Sequence, residues 1–324
     1  MQHRALITGI AGFVGGYLAE HLLARGDAVL GCSLDGNWEP SSAPGLVGRV
    51  ELTAWNMENP DGAEKETRRK IADFLPDCIY HLAAISMPGN AGKREPTAKA
   101  LAVNVGGTRR VLELAASLRP RPRVLLASSS HVYAPVSFES NTVDEVAPLG
   151  PPWAYGRTKL AAEEAVRRAV TKWGVDAVIA RAFPHTGPRQ NPQMMLPQWA
   201  RQLALGGEGP LEVHTCDAYL DLTDVRDVVR AYRLLANHGR TGRAYNVGSG
   251  VCRRSGDVLE VLQQTAGSRR TVVQLKPGRK ADPIADTSRL KQCTGWLPEI
   301  PLETTVADTL AWWRLLVETG KVFG

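Results

Sequence analysis

The sequence lacks two features that would point to particular classes of protein. It has five cysteines in 324 residues, all far apart and none in a Cys-x-x-Cys pair. Such spacing offers neither a disulfide framework nor a zinc site, so we expect no metal and a reducing, cytoplasmic compartment. No apolar run approaches the ~20 residues that cross a bilayer, and the first residues do not match a signal peptide, so we expect no membrane association.

A concentrated block of charge is missing as well. The net charge of +6 comes from arginines scattered along the chain. Scattered charge is typical of a solvated surface, and it gives no reason to expect nucleic acid as a partner. What the sequence does have is apolar material, at 44% of residues, which is enough for one large domain or two modest ones.

The N-terminal segment contains a glycine-rich turn between a strand and a helix. An apolar strand is expected at residues 5–8, and it is followed by the turn Gly9-Ile10-Ala11-Gly12-Phe13-Val14-Gly15-Gly16. Glycines at such a turn allow the backbone to approach a pyrophosphate, and the N-terminus of the next helix faces the anion. With a second strand at residues 28–32, the segment predicts a dinucleotide-binding unit.

Strands and helices then alternate as far as residue 180. The six expected strands lie at residues 5–8, 28–32, 51–55, 78–84, 124–127 and 176–180. This alternation predicts an α/β fold of the Rossmann type, a doubly wound parallel sheet that binds ligands at the carboxyl ends of its strands. The glycine turn, the loop after Ala84 and the serines at 128–130 all fall at that edge.

Prolines break the pattern beyond Arg181, and the later elements are shorter and mixed. We expect a smaller mixed α/β substrate-binding domain there, with the substrate in the cleft between the two domains. The predicted dinucleotide domain comprises residues 1–183 plus about 219–249. The predicted substrate domain comprises residues 184–218 plus 250–324.

A helix expected after Pro151-Pro152 carries Tyr155 and Lys159 in its first turns. Their four-residue spacing places the hydroxyl and the ammonium on one helix face. There the cation could lower the pKa of the phenol from about 10, which would make Tyr155 a proton donor or acceptor. Tyrosine and lysine at this spacing are also common surface neighbours, and it is the upstream dinucleotide unit that favours catalysis.

Several motifs together resemble the extended short-chain dehydrogenases/reductases. They are Thr8-Gly9-x-x-Gly12-Phe13-x-Gly15, Asn104-Val105-x-Gly107-Thr108, Ser129, Tyr155-x-x-x-Lys159 and Arg181-Ala182-Phe183. Most members of this family are nucleotide-sugar epimerases, dehydratases and reductases. The stretches at residues 185–190 and 222–232 are most similar to the GDP-4-keto-6-deoxy-mannose reductases.

The resemblance implies roles for individual residues. Ser129 would hydrogen-bond the substrate oxygen, Tyr155 would exchange a proton with it, and Lys159 would hold the nicotinamide ribose. Asn104 would be a polar relay or a structural residue nearby. The implied cofactor contacts, besides Tyr155 and Lys159, are Thr8, Gly9, Gly12, Phe13, Val14, Gly15, Asn56, Met57, Leu82, Ala83 and Ala84. The implied substrate contacts are Ser130, His131, Pro184, His185, Arg189 and Arg279.

The chain also departs from the family pattern. Dehydratases of the family carry an acidic residue just after the serine or threonine, whereas this chain has Ser130 and His131, which disfavours dehydration. Pro184 stands where the sugar-nucleotide enzymes usually have asparagine, and Leu220 where many have an arginine for the diphosphate. Two substrate anchors are therefore missing, so a smaller or differently phosphorylated substrate is an alternative to a sugar nucleotide.

The choice between NAD and NADP depends on the end of the second strand. An acidic residue there would bind the ribose hydroxyls of NAD, and an arginine would favour the 2′-phosphate of NADP. The chain has Cys32 and Ser33, with Asp35 slightly further on. We expect NAD because no basic residue occurs between Arg25 and Arg49, with NADP as the alternative.

The leading hypothesis is a reductase acting on the 4-keto carbon of a nucleotide-activated sugar. The alternatives are an epimerase that retains its NAD, and a dehydrogenase or epimerase of a smaller sugar or nucleoside. A non-catalytic binding module is disfavoured, since it would not need an intact Ser129, Tyr155 and Lys159. We also expect a homodimer built from helices at residues 98–118 and 153–173, which the family pairs across a two-fold axis.

Overall fold

The computed structural model describes residues 2–38, 44–58 and 63–321, so the predicted domain ends at residues 1 and 324 lie outside it. Its centre is a sheet of seven parallel strands in the order β7-β6-β5-β4-β1-β2-β3. The strands are β1 (Arg4–Thr8), β2 (Ala28–Ser33), β3 (Glu51–Ala54), β4 (Cys78–His81), β5 (Arg123–Ser129), β6 (Ala177–Ala182) and β7 (Ala244–Val247). The predicted Rossmann-type sheet is thereby confirmed, with β7 as a seventh strand that pairs with β6.

The apolar strands are explained by the helices that cover both faces of the sheet. Successive side chains of a strand point to opposite faces. Ile7 accordingly packs in one apolar cluster and Leu6 in the other. The main helices are α1 (Phe13–Ala24), α2 (Ala63–Phe74), α3 (Gly107–Ser117), α4 (Ala154–Trp173), α5 (Met195–Ala204), α6 (Val225–His238), α7 (Ser255–Ala266), α8 (Ser288–Thr294) and α9 (Leu302–Glu318). Strands buried on both sides favour continuous apolar runs, as in β6, all of whose residues are buried.

A third apolar cluster lies among α5, α7 and α9, with Trp199, Leu259 and Val306 among its members. Short strands accompany these helices, at Thr142–Val143, His185–Thr186, Leu211–Val213, Ala218–Asp221, Thr223–Asp224, Cys252–Arg254, Val272–Gln274, Lys280–Ala281 and Ile284–Ala285. Short helical segments lie at Pro44–Leu46, Pro88–Ala91, Ala98–Ala100 and Ser130–Val132. Among the described residues, no helix combines the length and apolarity that a bilayer crossing requires.

The helix predicted at residues 98–118 is present over residues 98–117, but it is not α-helical throughout. A π-helical segment, Leu101–Gly106, lies between a short α-helical turn and α3. Within it, the Asn104 side chain bonds both the N–H and the carbonyl of Ile85, at 2.7 and 3.2 Å. Wider turns of this kind are frequent at functional sites because they redirect a side chain. Here the redirected side chain fixes the loop that follows β4.

Candidate active site

The glycine turn is tight on its inner side and open on its outer side. The N–H of Gly9 donates to the Cys32 carbonyl at 2.8 Å, and Gly9 has φ +73°. A Cβ on Gly15 would lie 2.3 Å from the Gly9 carbonyl oxygen, so only glycine fits there. Gly12, by contrast, is exposed, and a Cβ on it would meet only that oxygen, at 3.3 Å. The first turn of α1 begins at the next residue, so its unpaired N–H groups can receive a pyrophosphate.

The carboxyl end of β2 presents a hydroxyl that can bind a ligand. Ser33 is 7% exposed, and its Oγ has no hydrogen-bond partner within the described ranges. A buried hydroxyl without a partner is costly, and a ribose hydroxyl would satisfy it. After β3, Met57 is buried against Gly107, and the Asn56 side chain accepts from the N–H of Glu58 at 2.9 Å. Together with the turn, these groups fit a dinucleotide.

The loop after β4 is tied to the glycine turn by a buried polar chain. Ala83 donates its N–H to the Thr8 hydroxyl at 3.3 Å, and that hydroxyl lies 2.7 Å from Nδ1 of His81. His81 Nε2 lies 3.1 Å from the Thr108 hydroxyl, which donates to the Asn104 carbonyl. Burial lowers the pKa of His81 to about 3, so its imidazole is neutral. Sequence reasoning missed His81, although a histidine at the end of an otherwise apolar strand was a usable signal.

The first turns of α4 bring Tyr155 and Lys159 to the carboxyl edge of the sheet. Lys159 is buried, with 5% of its surface exposed. Its Nζ donates to the Ala127 carbonyl at 2.8 Å, and the same atom lies 5.9 Å from the centre of the Tyr155 ring. A Cβ on Gly156 would lie 2.1 Å from the His131 carbonyl oxygen. That glycine therefore allows α4 to pack closely against the residues that follow Ser129.

The pKa of Tyr155 is raised overall, whereas the sequence led us to expect a lowered one. Burial raises the pKa of Tyr155 to about 12, and the Ser129 hydroxyl opposes the rise. Burial likewise lowers the pKa of Lys159 to about 8, which the charge of Glu163 opposes. Removal from water disfavours the charged form of each group, and it is the largest cause of both shifts. Tyr155 is therefore a protonated phenol at neutral pH, ready to donate.

The three serines after β5 have different surroundings. Ser128 donates its hydroxyl to Glu163 at 2.6 Å in the interior, and Ser130 is buried. The Ser129 Oγ lies 3.1 Å from Nδ1 of His131, and its hydroxyl acts to lower the pKa of Tyr155. Of the three, Ser129 is thus the one whose hydroxyl influences the phenol, and its role in catalysis stays a prediction.

Behind the site lies a buried ion pair that sequence reasoning missed. Glu163 is fully buried, and Arg181 reaches it with two bonds, at 2.9 and 2.8 Å. Arg181 also donates to the Tyr133 hydroxyl at 3.1 Å, which in turn donates to Asn246 at 2.6 Å. Removing one member of such a pair leaves an uncompensated charge in the interior. This network fixes α4, β5, β6 and β7 relative to one another.

The predicted substrate residues are not all in one place. The His185 ring stacks on the Phe13 ring, with their centroids 6.2 Å apart. Its Nδ1 lies 2.8 Å from the Phe183 carbonyl oxygen, and burial lowers the pKa of the imidazole. It is thus beside the glycine turn, with Pro184 just before it in the chain. Arg189 turns away to α1, where it pairs with Glu20 at 2.9 and 2.7 Å. Because this guanidinium already has a bidentate partner, its predicted role in substrate binding lacks structural support.

The surroundings of Arg279 differ from those of Arg189. Its guanidinium is exposed and lies 4.3 Å from the ring centre of Phe138 and 5.6 Å from that of Tyr219. The following Lys280 pairs with Asp282 at 2.9 Å, and both act electrostatically on His131. Arg279 is therefore next in the chain to residues that lie near His131. Leu220, which replaces the family arginine, is 8% exposed.

The fold and these groups define a dinucleotide-dependent enzyme with a Ser–Tyr–Lys site. Residues 5–248 match the NAD dependent epimerase/dehydratase family, and the chain belongs to that family. This membership confirms the resemblance drawn from the sequence motifs and the expectation of a nicotinamide cofactor.

Two curated relatives are similar over almost the whole chain. The GDP-6-deoxy-D-mannose reductase of Pseudomonas aeruginosa is 29% identical, covering 97% of this chain and 98% of its own. The UDP-glucose 4-epimerase of Mycolicibacterium smegmatis is 28% identical, covering 96% and 98%. Among solved structures, RMD from Pseudomonas aeruginosa in complex with NADPH is 27% identical, with a TM-score of 0.78 over 97% of this chain and 99% of that one.

Proposed function

We propose that the protein reduces the 4-keto carbon of a nucleotide-activated sugar with NADH or NADPH. The observation that carries this proposal is the placement of Tyr155 at the carboxyl edge of the sheet, with the Lys159 ammonium 5.9 Å from its ring centre and held by the Ala127 carbonyl at 2.8 Å. The site lies at the sheet edge that also holds the glycine turn. A protonated phenol can donate its proton to an oxygen that becomes an alkoxide, because an alcohol is a weaker acid than a phenol.

Each residue has a role in the reduction. When bound, the nicotinamide supplies the hydride, and the residues around it provide positions and protons. Tyr155 donates its phenolic proton to the substrate oxygen, and Ser129 donates a hydrogen bond to the same oxygen. The Lys159 ammonium, held by the Ala127 carbonyl, stabilises the phenolate that remains. Asn104 positions the site, since it joins the loop after β4 to Thr158 at 2.9 Å.

The cofactor is held mainly by backbone. The exposed Gly12 and the first turn of α1 receive the pyrophosphate, and Ser33 bonds the adenosine ribose. The predicted contacts Phe13, Val14 and Gly15 lie in that turn, and Leu82 to Ala84 form the loop tied to Thr8. Residues 1–183 plus about 219–249 serve this cofactor in our proposal, and residues 184–218 plus 250–324 serve the substrate.

The substrate class is inferred from the relatives and from Arg279. The first relative is by name a GDP-sugar reductase, and the second acts by name on UDP-glucose. Arg279, exposed at the cleft, supplies a cation for a diphosphate, while Leu220 and Pro184 supply none. A smaller phosphorylated sugar remains the alternative substrate.

An epimerase is the second candidate function, and the similarity to UDP-glucose 4-epimerase favours it. The two functions differ in how they handle the cofactor, because an epimerase restores its NAD within one cycle and a reductase exchanges it. Mass and absorbance spectra of the isolated protein therefore distinguish them. Retained nicotinamide supports the epimerase, and an empty site supports the reductase.

The direct test of the reductase is consumption of NADPH or NADH, followed at 340 nm, with a panel of 4-keto sugar nucleotides. We expect one equivalent of cofactor consumed per sugar, with a product two hydrogens heavier by mass spectrometry. Conversion of UDP-glucose to its 4-epimer without net oxidation of added cofactor would show that the protein is an epimerase and would contradict the proposed reductase.

We also propose a homodimer in the cytoplasm. Leu101 and Trp153, at the starts of the two helices predicted to pair, are 45% and 49% exposed, which favours a partner there. All five cysteines are unpaired, as expected in a reducing compartment. Light scattering tests the dimer: a mass near 35.1 kDa, that of one chain, would rule it out.

A further inference from the structure

His131 makes two approaches to the same serine oxygen. Its backbone N–H donates to the Ser129 Oγ at 3.2 Å, and its ring Nδ1 lies 3.1 Å from that atom. The edge of the imidazole also packs against the Tyr155 ring, with centroids 5.6 Å apart at an angle of 74°. The residue as a whole is exposed, unlike Ser129 and Ser130, although protein atoms surround much of its ring. The proposed reduction assigns no role to this histidine.

The hydrogen bonds of the Ser129 oxygen can be counted. A hydroxyl has one proton to donate and two lone pairs to accept with. The backbone N–H of His131 can only donate, so it occupies one lone pair. If the serine proton went to Nδ1 of His131, none would remain for Tyr155 or for a substrate oxygen. If Nδ1 carries a proton instead, it fills the second lone pair, and the serine proton is free for Tyr155 or a substrate oxygen.

We propose that His131 is a positioning residue: its Nδ1–H tautomer holds Ser129 as a hydrogen-bond donor toward Tyr155 and the substrate oxygen. The 3.1 Å approach of Nδ1 to the Ser129 oxygen is the contact that decides where the serine proton goes. The inference rests on the proposed function, because it is the reduction that needs Ser129 to donate. The other ring nitrogen of His131, Nε2, then carries a lone pair.

The charges around His131 leave the ring neutral. The Lys280–Asp282 pair acts on it with opposite signs, and burial holds its pKa below the usual value. No carboxylate bonds either ring nitrogen in the part of the chain that the structure describes. The choice of tautomer is thus made by Ser129 and its neighbours rather than by an ionic partner.

The tautomer can be measured directly on the full-length protein labelled with [15N]histidine, at a pH near 7.5. We expect the His131 resonances to show a protonated Nδ1 and an unprotonated Nε2, with assignment by their loss in His131→Asn. An unprotonated Nδ1 would overturn the proposal. This measurement needs no substrate, so it gives a result even if the proposed reduction is wrong.

A pair of variants tests the consequence for turnover. Asparagine at 131 places an amide N–H near the position of Nδ1, and glutamine places its amide near that of Nε2. We expect His131→Asn to keep kcat within about 3-fold, and His131→Gln to lower it about 10-fold or more, as for loss of one aligned donor. The affinity for NADPH, measured by fluorescence, and the melting temperature should be the same in the two variants.

Equal losses of kcat in the two variants would contradict the positioning role. A loss confined to KM would instead make His131 a substrate contact and would also contradict it. If the wild-type protein reduces no keto sugar nucleotide while the resonances show Nδ1–H, the proposed function fails and the tautomer stands. The two failures are therefore distinguishable.

Discussion

The two walls of the cleft that we propose, one for the dinucleotide and one for the substrate, are built differently. On the dinucleotide side the groups are buried and held by backbone: Lys159 is 5% exposed, and the inner glycines of the turn leave no room for a side chain. On the substrate side residues 271–280 are all exposed, and Arg279 lies on two aromatic faces. The first wall is organised in advance for one ligand. The second is organised by side chains that can change without disturbing the sheet, so we expect specificity to reside there.

The largest effect should come from removing the proton at the centre of the site. Tyr155→Phe keeps the ring and its packing against His131 and deletes only the hydroxyl. We expect kcat to fall about 10²–10⁴-fold, with NADPH affinity within a few-fold of wild type. Steady-state rates and a fluorescence titration check this. A variant that keeps more than about a tenth of wild-type kcat would remove Tyr155 from the chemistry.

The glycine turn provides a matched pair of variants. Gly12→Val places a side chain on the open side, so we expect a folded protein with dinucleotide affinity lowered about 100-fold or more. Gly15→Ala forces a Cβ to 2.3 Å from the Gly9 oxygen, so the fold itself should be destabilised. Calorimetric titration and thermal unfolding separate the two. Unchanged binding in Gly12→Val would make the turn a simple bend.

Two arginines test whether the substrate wall is adjustable. Arg279→Ala should raise KM about 10-fold or more, as expected for a lost charge-assisted contact, and leave the melting temperature unchanged. Arg189→Ala is its control, since Arg189 pairs with Glu20 on α1. That variant should lower the melting temperature and leave KM within about 2-fold. The reverse pattern would show that the substrate lies against α1.

The end of β2 offers a smaller, selective effect. Ser33→Asp places a carboxylate beside the adenosine ribose, where it accepts from both hydroxyls of NAD and repels the 2′-phosphate of NADP. We expect the ratio of NADPH to NADH dissociation constants to rise about 10-fold or more. Fluorescence titration without substrate measures it. An unchanged ratio would mean that the ribose does not lie at Ser33.

The sheet, and the placement of Tyr155 and Lys159 at its carboxyl edge, could be predicted from the sequence because their signals are local. Apolar runs, glycine spacing and the Tyr155–Lys159 interval each lie within a few residues. The π-helical segment at residues 101–106 could not be predicted, since its Asn104 bonds a loop 19 residues away. The pairing of Arg189 with a residue 169 positions earlier in the chain could not be predicted either.

The expected direction of the Tyr155 pKa shift was wrong for a similar reason, because it depends on the surroundings of the residue in the folded chain. The sequence shows that a cation lies one turn away, which would favour the phenolate. It does not show that both groups are buried, and burial is a property of the folded chain. In this protein burial is the larger effect, and it raises the pKa of Tyr155 and lowers that of Lys159.

The pH dependence of kcat for reduction tests most directly whether a protonated Tyr155 supplies the proton. The phenol, with a pKa of about 12, stays protonated through the working range, while Lys159 loses its charge near its pKa of about 8. We predict a rate that is level from about pH 6 to 7.5 and falls above pH 8 as the stabilising ammonium is lost. A rate that rises through pH 8 to 10 would show that the phenolate is the working form, and would contradict this account.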